Sequence, residues 1–149
     1  MPIKSFRGKI AHDTIDTISL HTIDGLIGYR IKKLQVFPEK PTNTNTEALL
    51  KVFSISQTAT SAEVDFSDNT LLAMAYYSGS TSSDSYPDDM TVVFDNMTFN
   101  QDIYLTMRNV GSGNNPVNYY IELEQVKLDL NESTVATLKD IRNIEAQYV

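Results

Sequence analysis

From residue 17 to residue 130, apolar side chains recur at every second position in short bursts, and turn-forming residues separate each burst from the next. The bursts are TISLH (17–21), GYRIKKLQVF (28–37), LLKVFSIS (49–56), AEVDF (62–66), LLAMAYY (71–77), TVVFD (91–95), DIYLTMRNV (102–110) and the opening half of NYYIELEQVKLDLNESTVATLKDIRN (118–143). A period of two belongs to the β-strand, whose side chains alternate between faces, and these stretches are rich in the residues that fill a pleated surface. Between them lie IDGLIG (23–28), FPEKPTNTNT (37–46), SDN (67–69), SGSTSSDSYPDDM (78–90) and GSGNNP (111–116), all carrying turn chemistry. About eight or nine short strands separated in this way predict an all-β fold, an antiparallel β-sandwich resembling a jelly roll. No helix-length pattern interrupts them, which argues against an α/β architecture.

Two strands change parity. Tyr119, Ile121 and Leu123 share one face, whereas Val126, Leu128 and Leu130 have the opposite parity, so an extra residue is expected near Glu124–Gln125. A separate short strand over 126–130 is the less economical alternative. The same break falls at Lys32–Lys33. Both are expected as β-bulges or bends at a sandwich corner.

After Leu130 the period changes. Asn131 or Ser133 can cap a helix, and Glu132 suits its positive end. Val135, Leu138, Ile141 and Ile144 then recur at three-residue steps. Each such step drifts about 60° around an α-helix, so one receiving surface covers only some of the stripe. The expectation is a β-domain over 1–130 and a helix over 131–149, which either covers a sheet or reaches a neighbouring chain.

With 149 residues the chain has the size of one domain. It has no cysteine, which excludes disulfides, thiolate nucleophiles and the usual structural zinc. The net charge of −7 speaks against a nucleic-acid binder. Residues 1–51 hold eight Lys and Arg against five Asp and Glu, and 52–149 hold four against fourteen. A basic front and an acidic back can be complementary between copies, or can simply be solvated. No apolar run reaches the roughly 20 residues of a membrane span, and MPIKSFRGKI has no apolar stretch behind its charges, so synthesis and folding in a cytosol are expected.

The polar clusters read as turns rather than as chemistry. His12 beside Asp13 would point to the opposite strand face, and His21 flanks a turn, so neither predicts catalysis. Asp65, Asp68 and Asn69, like Asp84, Asp88 and Asp89, lack an EF-hand spacing and have the residue types that turns prefer. No helix follows the glycines of GLIG or GSG, so no phosphate cradle is indicated. Loop 78–90, with Tyr76, Tyr77 and Tyr86 nearby, has a composition suited to recognition or to a solvated tip. No catalytic residue, cofactor or metal site is assigned.

FRGKIAHDTIDTISLHT near the start, VDFSDNTLLA (64–73), VFDNMTFNQDIYLT (93–106) and the stretch 118–143 together resemble a family of small virion-associated proteins of marine tailed bacteriophages, whose hosts include cyanobacteria and SAR11-type bacteria. That resemblance implies a virion structural protein made in the host cytoplasm and present in many copies. It implies as partners the major capsid protein or other virion proteins, with a homo-oligomer such as a trimer, and neither nucleic acid nor membrane. The leading expectation is a capsid decoration protein. The alternatives are a neck, tail or baseplate adaptor, and a receptor- or glycan-binding module using loops 78–90 and 111–116. For attachment, the expected elements are an arm over residues 1–10, through Lys4, Phe6, Arg7 and Lys9, and the terminal helix, through Val135, Leu138, Ile141, Arg142 and Ile144.

Overall fold

A computed structural model of the chain describes residues 2–20, 25–40, 46–79, 88–94, 97–111 and 114–138. Eight strands form: β1 (Ile3–Ile10), β2 (Thr14–Ile18), β3 (Ile27–Pro38), β4 (Thr46–Phe53), β5 (Leu71–Gly79), β6 (Asp88–Val93), β7 (Ile103–Asn109) and β8 (Val117–Lys127). They build two antiparallel sheets, ordered β1-β8-β3 and β2-β7-β4-β5-β6. One helix, α1, covers residues 130–138.

The pairings follow from alternation. Val117, Ile121 and Leu123 of β8 turn inward, as do Ile103, Leu105 and Met107 of β7, and all six are fully buried. Each such side chain removed from water contributes about 1.5–3 kcal/mol, so the inward rows hold the two sheets face to face. The order matches a jelly roll, in which the first strand pairs the eighth, the second the seventh and the fourth the fifth. The remaining pair is open: β6 stays with β5, and β3 binds β8 on one edge while its other edge, among the described residues, carries only a bridge from Tyr29 to Phe99. A cleft of about 300 Å³, lined by Leu34 and Val36 of β3 and by Asp89, Thr91 and Val93 of β6, lies where the fourth pair would close.

β4 is buried on both faces because two different layers cover it. Leu50 and Val52 face the other sheet, and Leu49, Lys51 and Phe53 are buried on the opposite face, where Lys51 meets the segment 54–70. Lys51 Nζ donates to the Glu63 carbonyl at 2.7 Å, and burial pushes this ammonium below its ordinary value while Asp68 and Glu63 oppose the shift. AEVDF (62–66), expected as a strand, belongs to this covering segment and makes no strand pairing. Its Phe66 instead meets Phe94 edge-on at 5.3 Å, and the adjoining Asp65 and Asp68 close Asx turns on Ser67 and Thr70.

The bulge expected at Lys32 is present, between Ile31 and Lys33. The one expected near Glu124–Gln125 is not: β8 runs from Val117 to Lys127 in unbroken register with β3 apart from the residue inserted in β3 itself. Val126 therefore turns to the outer face, where α1 shields it, and Leu128 lies beyond the strand. A helix over the sheet end accounts for the apolar residues without a break in the strand. The segment 1–10 also differs from expectation: Ile3–Ile10 is a strand paired along its length with β8, not an arm.

Candidate interaction site

The start of α1 is fixed by Asp129. Its Oδ1 accepts the Glu132 N–H at 2.7 Å and its carbonyl accepts the Ser133 N–H at 2.9 Å, making it the cap in place of Asn131 or Ser133. The backbone bond from Glu132 holds the Asp129 carboxyl below its ordinary value. Ser133 is buried and used differently: its hydroxyl donates to the Gly25 carbonyl at 2.8 Å. Asn100, fully buried, completes the latch, with Nδ2 donating to the Gly25 carbonyl at 3.1 Å and to Thr137 Oγ1 at 3.0 Å. Gly25 has φ 65°, and a Cβ there would stand 3.1 Å from Ser133 Oγ, so glycine is required at this close approach.

This latch decides which side of the helix faces out. Val135 and Leu138 lie about 200° and 140° around the axis from Ser133, so a helix held by Ser133 and Thr137 turns them to solvent. Val135 is 66% exposed, Leu138 53% and Leu130 74%. Beside them runs a groove of about 400 Å³ in which Val126, Leu128, Val135 and Ala136 supply apolar walls and Arg30 and Glu132 a charged rim. Arg30 is steadied by Thr98, whose Oγ1 accepts its Nε–H at 3.0 Å. The arrangement offers a ridge and groove for an apolar segment of another chain.

The attachment residues named from sequence divide into separate places. Val135 and Leu138 form the exposed flank of α1, while Ile141, Arg142 and Ile144 lie outside the described residues. Phe6 faces the interior and packs against the core, with Lys4 Nζ 5.6 Å from its ring centre. Arg7 and Lys9 sit on the outer face of the smaller sheet, at the level of Tyr120 and Asn118 of β8. Val126 is six residues further along, about 20 Å at strand rise, so the basic pair and the helix groove occupy opposite ends of one face. Sequence reasoning missed the Asn100–Gly25–Ser133 latch, for which the asparagine and the isolated glycine gave no periodic signal.

His12 occupies a turn between β1 and β2, where its Nδ1 accepts the Asn109 N–H at 3.0 Å. Asp13, at φ 58°, accepts from the Thr60 hydroxyl and faces Arg108 at 3.5 Å, and the Thr60 bond chiefly lowers its carboxyl below the ordinary value. His21, Asp84 and Tyr86 lie outside the described residues, as do the rest of 80–87 in the loop 78–90 and 112–113 in the loop 111–116. Among the described residues no helix is long and apolar enough to cross a membrane. No protein-family model matches the chain, and no curated protein matches it.

Proposed function

We propose that this chain is a structural protein of tailed-phage virions that decorates and stabilises the assembled head, with the major capsid protein as its partner. The carrying observation is the outward apolar flank of α1, Leu130, Val135 and Leu138, beside a groove walled by Val126 and Leu128. A helix latched to its own domain by polar contacts presents that flank in a fixed position, which lowers the ordering cost of docking. The resemblance of 118–143 to virion proteins supports the same reading. Binding only the assembled shell stabilises it by mass action, and a compact jelly roll repeated at each lattice position suits that task. Copies gathered around a symmetry axis, as a trimer, fit this role.

The test is stoichiometry on washed particles. Quantitative mass spectrometry is expected to count hundreds of copies per virion, and heads lacking the protein are expected to break at lower temperature while still adsorbing to cells. A count of about three to a dozen would move the protein to the neck or tail, and its absence from washed particles would end the reading.

A further inference from the structure

The basic residues of this acidic chain are not spread evenly over its surface. On the outer face of β1-β8-β3 stand Arg7, Lys9, Arg30 and Lys33, with Lys32 at the bulge, against Glu122 and Glu124. Lys32 and Glu124 neutralise each other at 2.8 Å, and Lys33 lies 5.9 Å from the Tyr120 ring centre. At the end away from α1 the composition repeats in two neighbouring cross-strand rows. One row is Arg7, Tyr120 and Gln35; the next is Lys9, Asn118 and Phe37. Each row therefore holds one cation, one aromatic ring and one carboxamide. The six line a shallow groove of about 570 Å³.

We propose that this groove binds an acidic saccharide, a sugar chain bearing carboxylate or sulfate groups. The apolar face of a pyranose ring can stack on Phe37, which is 59% exposed. The carboxamides of Gln35 and Asn118 both donate and accept, as vicinal hydroxyls require. Arg7 forms no ion pair or hydrogen bond among the described residues, so its guanidinium is available for the two-pronged grip on a carboxylate or sulfate. Lys9 has a long rim contact with Glu39, at 3.7 Å, that an anionic ligand can replace. β8 is hydrogen-bonded on both sides, so the rows are set before any ligand arrives. A groove of this volume takes one or two sugar rings. A nucleic acid fits less well, because its phosphates follow every few ångströms while the groove offers two cations on a chain of net charge −7. The groove is separate from the helix flank, and its ligand is independent of the head-decoration role.

Titration calorimetry on the full chain tests it with four probes of equal length: an oligoalginate (carboxylate), a heparin fragment (sulfate), a neutral dextran oligomer and oligo-dT. One or both acidic saccharides are expected to bind at least tenfold tighter than dextran or oligo-dT. The double variant R7Q/K9Q and, separately, F37S are each expected to weaken that binding at least tenfold, while K127Q at the far end of β8 leaves it unchanged. Because these side chains are exposed, the variants are expected to melt as the parent does. Absence of binding by either acidic probe, equal binding of dextran, preference for oligo-dT, or affinity indifferent to all these substitutions would overturn the proposal.

Discussion

Asn109 shows how one side chain can close the end of a sheet. It is fully buried at the last position of β7, with Oδ1 accepting the Glu47 N–H at 3.2 Å and the Gly111 N–H at 2.9 Å, and Nδ2 donating to the Asn115 carbonyl at 2.7 Å. Three backbone groups, one from β4 and two from the loop after β7, thus find their partner in one carboxamide. Buried polar groups left without partners each cost about 1–3 kcal/mol, although water can reach some of this site once the side chain shrinks. Asn109→Ala is accordingly expected to destabilise the domain by about 2–3 kcal/mol, read as a fall in melting temperature of roughly 5–10 °C. A smaller fall than about 2 °C would mean that the carboxamide is dispensable.

At the scale of the element, α1 depends on its cap and its latch. The Asp129 carboxyl is held below its ordinary value, so the capped helix binds that proton less readily than the unfolded chain does. The cap's contribution is therefore present above the usual carboxylate range and is lost as pH falls through the folded value. Amide exchange at 130–138 is expected to accelerate relative to the strands below about pH 4, and Asp129→Asn, which caps about as well, is expected to remove that relative acceleration. The latch makes a second prediction. Gly25→Ala forces a Cβ into the left-handed region and against Ser133 Oγ at 3.1 Å. It is expected to cost about 1–3 kcal/mol, seen as loss of exchange protection in α1 with β7 and β8 still protected. Protection unchanged in the helix would show that the backbone there relaxes freely.

On the scale of the whole molecule, three of the four jelly-roll pairings close and the fourth does not. β6 follows β5 in sequence, so their antiparallel pairing closes a short connection, whereas joining β3 would bridge a much longer stretch of chain. The exposed edge of β3 has Lys32, Lys33 and a bulge, devices that keep an open edge from recruiting strands indiscriminately. On the proposed head-attachment reading the flank of α1 meets the capsid, and its energetics give a measurable expectation. Burying Val135 and Leu138 contributes about 1.5–3 kcal/mol each, so Val135→Glu with Leu138→Glu should lower particle occupancy by about a hundredfold or more without unfolding the domain. Normal occupancy by a folded double variant would remove the helix from the attachment surface.

The alternation of LLKVFSIS, LLAMAYY and DIYLTMRNV determined that this chain would be built of paired strands, because period two places one side of each segment on a core whatever the partner. Local pattern also located the bulge at Lys32 and a helix expected from residue 131, which begins at Leu130. It was silent on pairing. Ile3–Ile10 looked like a free arm because its inward row, Lys4, Phe6, Gly8 and Ile10, is only partly apolar, and backbone hydrogen bonds to β8 give it a place that side-chain pattern does not record. Likewise the latch of Asn100, Gly25 and Ser133, and the rows of Arg7, Tyr120 and Gln35, bring together residues far apart in the chain. Periodicity reports which residues seek burial; only the closed sheets, by fixing register, decide which polar residues meet.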